Sequence, residues 1–409
     1  MKKTILMSVA LIAFAVMVSA VSSGPVLTDK EYLGRLIFFD NNLSINNNQS
    51  CAACHAPGVG WTGPEEVINL FGSVYEGSIS GRFGNRKPPS SAYATQSPIL
   101  HPEKKEHLFI GGNFWDGRAT GEKLGNPAAD QAQGPFLNPL EQALNAPVDV
   151  VQRVCNSSYG DLFRLVWGAG VCDSNNVDMA YDYIALSIAA YEASPEVNAF
   201  TSKYDHHFRG QAKLNKQEQR GFALFRGKGM CHRCHISNGQ KALFTDYTYD
   251  NLGVPRNPDN PFYDEPAFNP EGFEWVDEGL GGFLSSRPDY ALYADANLGK
   301  QKVPTLRNVA KGSCEADPQN PNCIVKAYSH NGYFKSLKGI VHFYNTRDVK
   351  PQCANRFTAE AEALVQDCWP EPEVAANVNI DELGDLGLSP EEEDAIVAFL
   401  MTLSDGFQP

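Results

Sequence analysis

Two copies of one pattern, Cys51-Ala52-Ala53-Cys54-His55 and Cys231-His232-Arg233-Cys234-His235, constrain this chain more than any other feature. In C-x-x-C-H the two thiols are spaced to add to two vinyl groups on one edge of a porphyrin, and the adjacent imidazole reaches the iron. From the chain's own Cys and His frequencies roughly 0.005 copies are expected by chance, so a pair is a signal. Zinc or a redox disulfide is the rival reading of C-x-x-C, but both pairs end in histidine. The chain must therefore fold around two covalently bound c-type haems (haem c, iron). Cys51, Cys54, Cys231 and Cys234 attach them, and His55 and His235 serve as proximal iron ligands. His232 is read as a polar residue of the second attachment loop.

The N-terminus carries an export pattern. Lys2 and Lys3 precede an apolar run that ends at Val18-Ser19-Ala20, the layout of a secretory signal over residues 1–20. The run is short for a bilayer span, so a periplasmic or otherwise exported protein with no integral membrane span in its mature form is expected. Six further cysteines remain. Export favours three disulfides, and nearness in sequence favours Cys155–Cys172, Cys314–Cys323 and Cys353–Cys368 among the roughly 15 connectivities that six cysteines allow. Without Lys2 and Lys3 the formal charge moves from 34 − 48 = −14 to 32 − 48 = −16. That balance opposes nucleic acid as a partner and favours a basic protein.

The fold class expected is mainly α: two cytochrome c-like haem domains, residues 21–200 and 201–409, with long ordered loops and little β structure. Gly34 and Phe38 before the first motif, and Gly221 and Phe225 before the second, share a G-x-x-x-F spacing. Capping boxes precede each, Thr28 to Glu31 and Asn215 to Glu218. Closing helices are predicted at 181–193 and 390–403. In the second, Ser389 is the N-cap and Ile396, Val397, Leu400 and Leu403 form the apolar stripe. Gly, Pro, Asn and Asp dominate between helices, so long loops wrap the cofactors.

The iron chemistry depends on the sixth ligand, and methionine is scarce. Beyond the signal only Met179, Met230 and Met401 occur, and Met230 abuts Cys231. At this point the chain resembles the di-haem cytochrome c peroxidase family, in its MauG-like branch. The resemblance runs from Gly34-Arg35-Leu36-Ile37-Phe38-Phe39-Asp40 through Phe114-Trp115-Asp116-Gly117-Arg118, Asn251-Leu252-Gly253-Val254-Pro255 and Val303-Pro304-Thr305-Leu306-Arg307 to the last helix.

The resemblance implies that the N-terminal haem is peroxidatic. Glu141 would be its distal acid, Gln131 would line the same pocket and Pro135 would shape its wall. Trp115 would be the electronic bridge between haems. Tyr344 stands where ordinary members carry the methionine ligand of the second haem, as in MauG-like proteins, with His342 and Met401 as its rivals. A phenolate favours higher oxidation states than a thioether does. The function implied is a peroxide-dependent oxidoreductase that oxidises aromatic side chains of a partner protein through a high-valent di-haem state. Two alternatives stay open: peroxide detoxification with a small redox protein as electron donor, and a non-catalytic di-haem electron carrier.

Three departures qualify the carry-over. Residues 56–100 contain no histidine that could block the first iron. The resemblance also implies a calcium ion between the domains, held partly by an asparagine after an arginine. Here Lys87 follows Arg86, and an ammonium opposes a cation; Asn85 is the residue that would compensate. Third, Gly229 stands where MauG has a tryptophan that passes holes to its partner. Trp275 or tyrosines of the loop at 262–283 are the other exits to consider.

Overall fold

The computed structural model describes residues 25–103 and 108–409; the expected export signal at 1–20 lies outside them. The main helices are α1 (Asp29–Phe38), α2 (Pro127–Leu137), α3 (Pro147–Cys155), α4 (Val177–Ala193), α5 (Lys216–Arg226), α6 (Leu337–Thr346) and α7 (Pro390–Met401). Two small antiparallel ladders, β1 (His101–Glu103) with β2 (Leu108–Ile110) and β3 (Tyr249–Asp250) with β4 (Gln301–Lys302), are the sheets of the described residues. The expected mainly α class with little β structure holds.

Helix starts follow local chemistry. Thr28 caps α1 and Glu31 reaches back, Asn215 and Glu218 do the same for α5, and Ser389 and Glu392 for α7. In α4 the helix starts at Val177, one turn before the expected 181 and without a side-chain cap. α7 ends at Met401, two residues before the expected 403.

The two halves repeat one packing device. α1 crosses α4 at Gly34, where a Cβ would overlap the Ser187 carbonyl, and α5 crosses α7 at Gly221, where a Cβ would overlap that of Ala395. Only glycine lets these backbones approach so closely. Four residues on, Phe38 and Phe225 are fully buried, which explains the G-x-x-x-F spacing. One hydrophobic cluster draws its buried residues from Leu33 to Val197, a second from Tyr204 to Leu403. The disulfides are Cys155–Cys172, Cys314–Cys323 and Cys353–Cys368, as expected, with Cα separations of 5.9, 4.7 and 5.1 Å. No described helix is long and apolar enough to cross a membrane.

Candidate active site

Cys51 to Cys54 form a short helical turn, and the His55 amide closes it on the Cys51 carbonyl at 3.0 Å. His55 Nδ1 faces the Trp61 carbonyl at 3.3 Å. A carbonyl only accepts, so Nδ1 carries the proton and the Nε2 lone pair is left for a metal. Burial holds the ring down to about 4, so it is neutral. Burial also pushes the Cys51 thiol up to about 12, and Cys54 higher still.

The second motif repeats this arrangement. Cys231 to Arg233 form a 3-10 turn, the His235 amide bonds the Cys231 carbonyl at 2.9 Å, and His235 Nδ1 donates to the Phe244 carbonyl at 2.9 Å. Burial lowers the His235 pKa and pushes Cys231 to about 12. All four motif cysteines are free, whereas the other six are paired.

Both motifs line one continuous cavity of about 430 Å³, a size that suits an enclosed prosthetic group. Neutral imidazoles with a free nitrogen, unpaired thiols beside them and a largely apolar enclosure fit haem c at both places.

What faces the two motifs differs. Asn126 caps α2 and Pro127 occupies its first turn; Gln131 and Pro135, four apart, share a face and line the cavity. The chain then folds back. The Glu141 amide donates to the Asn138 carbonyl at 3.0 Å, the Gln142 amide to Pro135 at 3.1 Å, and Ser78 donates to the Glu141 carbonyl at 2.7 Å. Burial raises the Glu141 carboxyl above its ordinary value, against the pull of Arg118 and Asn138. Its charge adds to burial in raising the Cys54 thiol, so the carboxyl lies near the first attachment site.

In the second pocket α6 presents Tyr344 to the cavity. Burial, then Cys231 and Cys234, push its phenol far above the usual range, with Arg347 opposing. Neither His342 nor Met401 lines the cavity; His342 Nδ1 is 2.8 Å from Glu393 Oε1. Met179 sits on α4, 40% exposed.

Trp115 is buried on the cavity wall. Its indole N–H donates to the Lys87 carbonyl, and its own carbonyl accepts from the Lys302 amide, both at 2.8 Å. The preceding Phe114 adopts the left-handed conformation at φ 63°, with the Arg118 guanidinium 3.8 Å above its ring. Such a backbone costs about 1–3 kcal/mol and persists where the surroundings over-determine it. Arg86 ties this segment to the other half, donating to Asp116 at 2.5 Å and to Asp277 at 2.5 and 2.6 Å. Against the opposing effect of burial, Arg86 holds both carboxylates below their usual range.

Sequence reasoning missed several cavity residues. One is His330, 6.4 Å ring to ring from Trp115 and 3.0 Å from Glu373. Glu192 lies four residues after Ile188 and eight after Ile184 on the buried face of α4, a spacing that signalled an inward carboxyl; burial raises it to about 8. Lys302 and Lys326 carried no local signal. Trp275 packs on Phe262 at 5.1 Å, away from the cavity lining.

Comparison with known proteins accords with this geometry. Residues 28–213 match the family model described as di-haem cytochrome c peroxidase. The methylamine utilization protein MauG of Paracoccus denitrificans is 35% identical over 382 residues, covering 91% of this chain and 88% of that one. A cytochrome c551 peroxidase of Pseudomonas aeruginosa is 28% identical over 335 residues, 81% of this chain and 75% of that one. Among solved structures, the diheme peroxidase BthA of Burkholderia thailandensis superposes with a TM-score of 0.71 at 28% identity, over 92% of this chain and 86% of that one. A variant of it with methionine for one tyrosine gives 0.74. With two C-x-x-C-H sites on one cavity and a relative this similar along nearly its whole length, the chain belongs to the di-haem cytochrome c peroxidase family and is a di-haem oxidoreductase.

Proposed function

We propose that this chain is an exported, periplasmic enzyme that uses hydrogen peroxide to oxidise aromatic side chains, tryptophan or tyrosine, of a partner protein. The observation that carries the reading is Tyr344 on the wall of the second pocket, with His342 and Met401 outside it. Bound haem would supply iron that takes up the oxidising equivalents of peroxide. His55 and His235 would hold the two irons from one side through Nε2, and Cys51, Cys54, Cys231 and Cys234 would anchor the porphyrins.

Glu141 is the base and acid of the first pocket. Its carboxylate takes the proton from one peroxide oxygen and delivers it to the other, which leaves as water. A pKa raised by burial suits that transfer, because the carboxylate takes up a proton more readily than an ordinary glutamate does. Gln131 orients the peroxide with its side-chain amide, and Pro135 fixes the wall on which the helix ends. Tyr344, giving its phenolic proton up to become a ligand, would favour retention of oxidising equivalents over electron acceptance. Trp115, buried on the cavity wall, would relay electrons. The division at 200/201 is supported by the two main hydrophobic clusters, although Leu243 packs against the first and a smaller cluster joins Leu100 and Phe109 to Tyr249, Leu280 and Leu284.

The likeness to MauG supports a protein substrate, and that to cytochrome c551 peroxidase supports the second reading, peroxide removal with a small redox protein as donor. An electron carrier without catalysis accounts for neither Glu141 nor Gln131. Intact-mass comparison of co-exported proteins from cells with and without the enzyme tests the choice. A peroxide-dependent mass change on one protein, absent with Tyr344→Met, is expected. Rapid peroxide turnover with a cytochrome donor and no modified protein would favour the second reading instead.

A further inference from the structure

Where the resemblance implies an asparagine ligand for calcium, this chain places Lys87. Its Nζ donates to Thr62 Oγ1 at 2.9 Å and to the Pro88 carbonyl at 3.0 Å. Calcium takes six to eight oxygens, and an ammonium here both repels it and claims oxygens. Two lysines of the C-terminal half also claim oxygens, Lys302 wholly and Lys326 partly from the N-terminal half. Lys302 Nζ sits among Ser97 Oγ at 2.6 Å, Asn113 Oδ1 at 3.0 Å and the Gly112 carbonyl. Lys326 Nζ sits among the carbonyls of Val59 at 2.8 Å, Lys311 at 3.1 Å and Asn308 at 3.2 Å. Three donors meet three acceptors, so both of these ammoniums are saturated.

None of the three forms an ion pair with a carboxylate among the described residues, and all three line the cavity. Burial without an anion lowers all three, Lys87 to about 8 and Lys302 to about 7, so an anion entering the cavity would hold them in the charged form. The haem propionates are the anions it would gain.

Lys302 does more than carry charge. Its amide donates to the Trp115 carbonyl at 2.8 Å while its Nζ grips Gly112 and Asn113, three and two residues before Trp115. One residue of the second half thus holds both ends of the segment that presents Trp115. The Lys87 carbonyl takes the indole N–H from the other side.

We propose that this chain carries no calcium between its halves, and that Lys302, with Lys87 and Lys326, supplies the buried positive charge there, Lys302 acting as the positioning residue of Trp115. The positioning half rests on the bridge role proposed for Trp115; the calcium half does not.

Two measurements on the holoenzyme test this. Elemental analysis of protein purified without chelator should find less than about one tenth of a calcium per chain, and EGTA should leave haem absorption unchanged. One calcium per chain, removed by EGTA with a spectral change, overturns the proposal. In Lys302→Met, with two haems still attached, both midpoint potentials should shift negative and electron sharing between haems should slow about tenfold, with Lys302→Arg restoring both. Potentials and sharing that match the parent overturn it. If Lys302→Met does not fold, Lys302→Gln is read the same way, beside the calcium content. Trp115→Phe in the same assay separates the two ideas: no slowing there defeats the bridge, while calcium content and potentials still judge the lysines.

Discussion

Gly34 lets α1 lie against Ser187 and Gly221 lets α5 lie against Ala395; Phe38 and Phe225 follow four residues later; His55 Nδ1 bonds the Trp61 carbonyl and His235 Nδ1 that of Phe244. In all that attaches a haem, the two halves match. They part company on the opposite wall, where α2 and its following turn bring Gln131 and Glu141 to one pocket, while α6 brings Tyr344 to the other. The glycines, phenylalanines and accepting carbonyls of the shared part lie within about thirty residues of each motif, although the crossing partners Ser187 and Ala395 do not. The differing parts arrive from elements distant in sequence, so attachment can stay constant while chemistry diverges.

The comparison breaks most sharply at Glu141. Glu141→Gln should slow the reaction with peroxide by about 10²–10⁴-fold, the range for loss of a general acid–base, with haem content unchanged. Stopped-flow mixing with peroxide reads this. In the proposed role the working form is the carboxylate, and its pKa lies above the ordinary 4.5. The rate should therefore fall as pH drops through that raised value, and the fall should vanish in the variant. A rate that the substitution leaves intact would make the first pocket no different from the second.

Tyr344→Met makes the second pocket resemble that of an ordinary peroxidase. Oxidation of the protein partner should fall by about a hundredfold or more, equivalent to about 2.7 kcal/mol in the barrier, while peroxide turnover with a small electron donor persists. Product mass and donor oxidation, measured in parallel, distinguish the two. Equal loss of both activities would remove the division of labour.

The matched parts yield the smallest expected effect. Gly34→Ala and Gly221→Ala each force a Cβ into a carbonyl of the crossing helix, and overpacking of this kind costs about 1–3 kcal/mol. Thermal unfolding of the holoenzyme should show a comparable drop for both. A large drop for one and none for the other would show that the halves are not built alike.

How much of this was legible in the sequence follows the same division. The capping boxes at Thr28, Asn215 and Ser389, the glycine–phenylalanine spacing and the three disulfides are set by residues close in the chain, and each was readable. The start of α4 at Val177 was not, because no capping side chain marks it and tertiary packing extends the helix. Glu141, Gln131 and Tyr344 were reached through family resemblance, since no local pattern says which way a loop carboxyl or a helical phenol faces. Lys302 and Lys326 lay beyond both routes. Their ammoniums are caged by oxygens up to 267 residues away, and a buried lysine has no signature of its own in composition or period.

The central claim is that one haem face is open beside Glu141 and the other is filled by Tyr344. Electron spin resonance of the fully oxidised holoenzyme, repeated on Tyr344→Phe, measures it most directly. The parent should give one high-spin and one low-spin iron in equal amounts, and the low-spin signal alone should change in Tyr344→Phe. Two low-spin irons in the parent, or a spectrum indifferent to the substitution, would contradict the account.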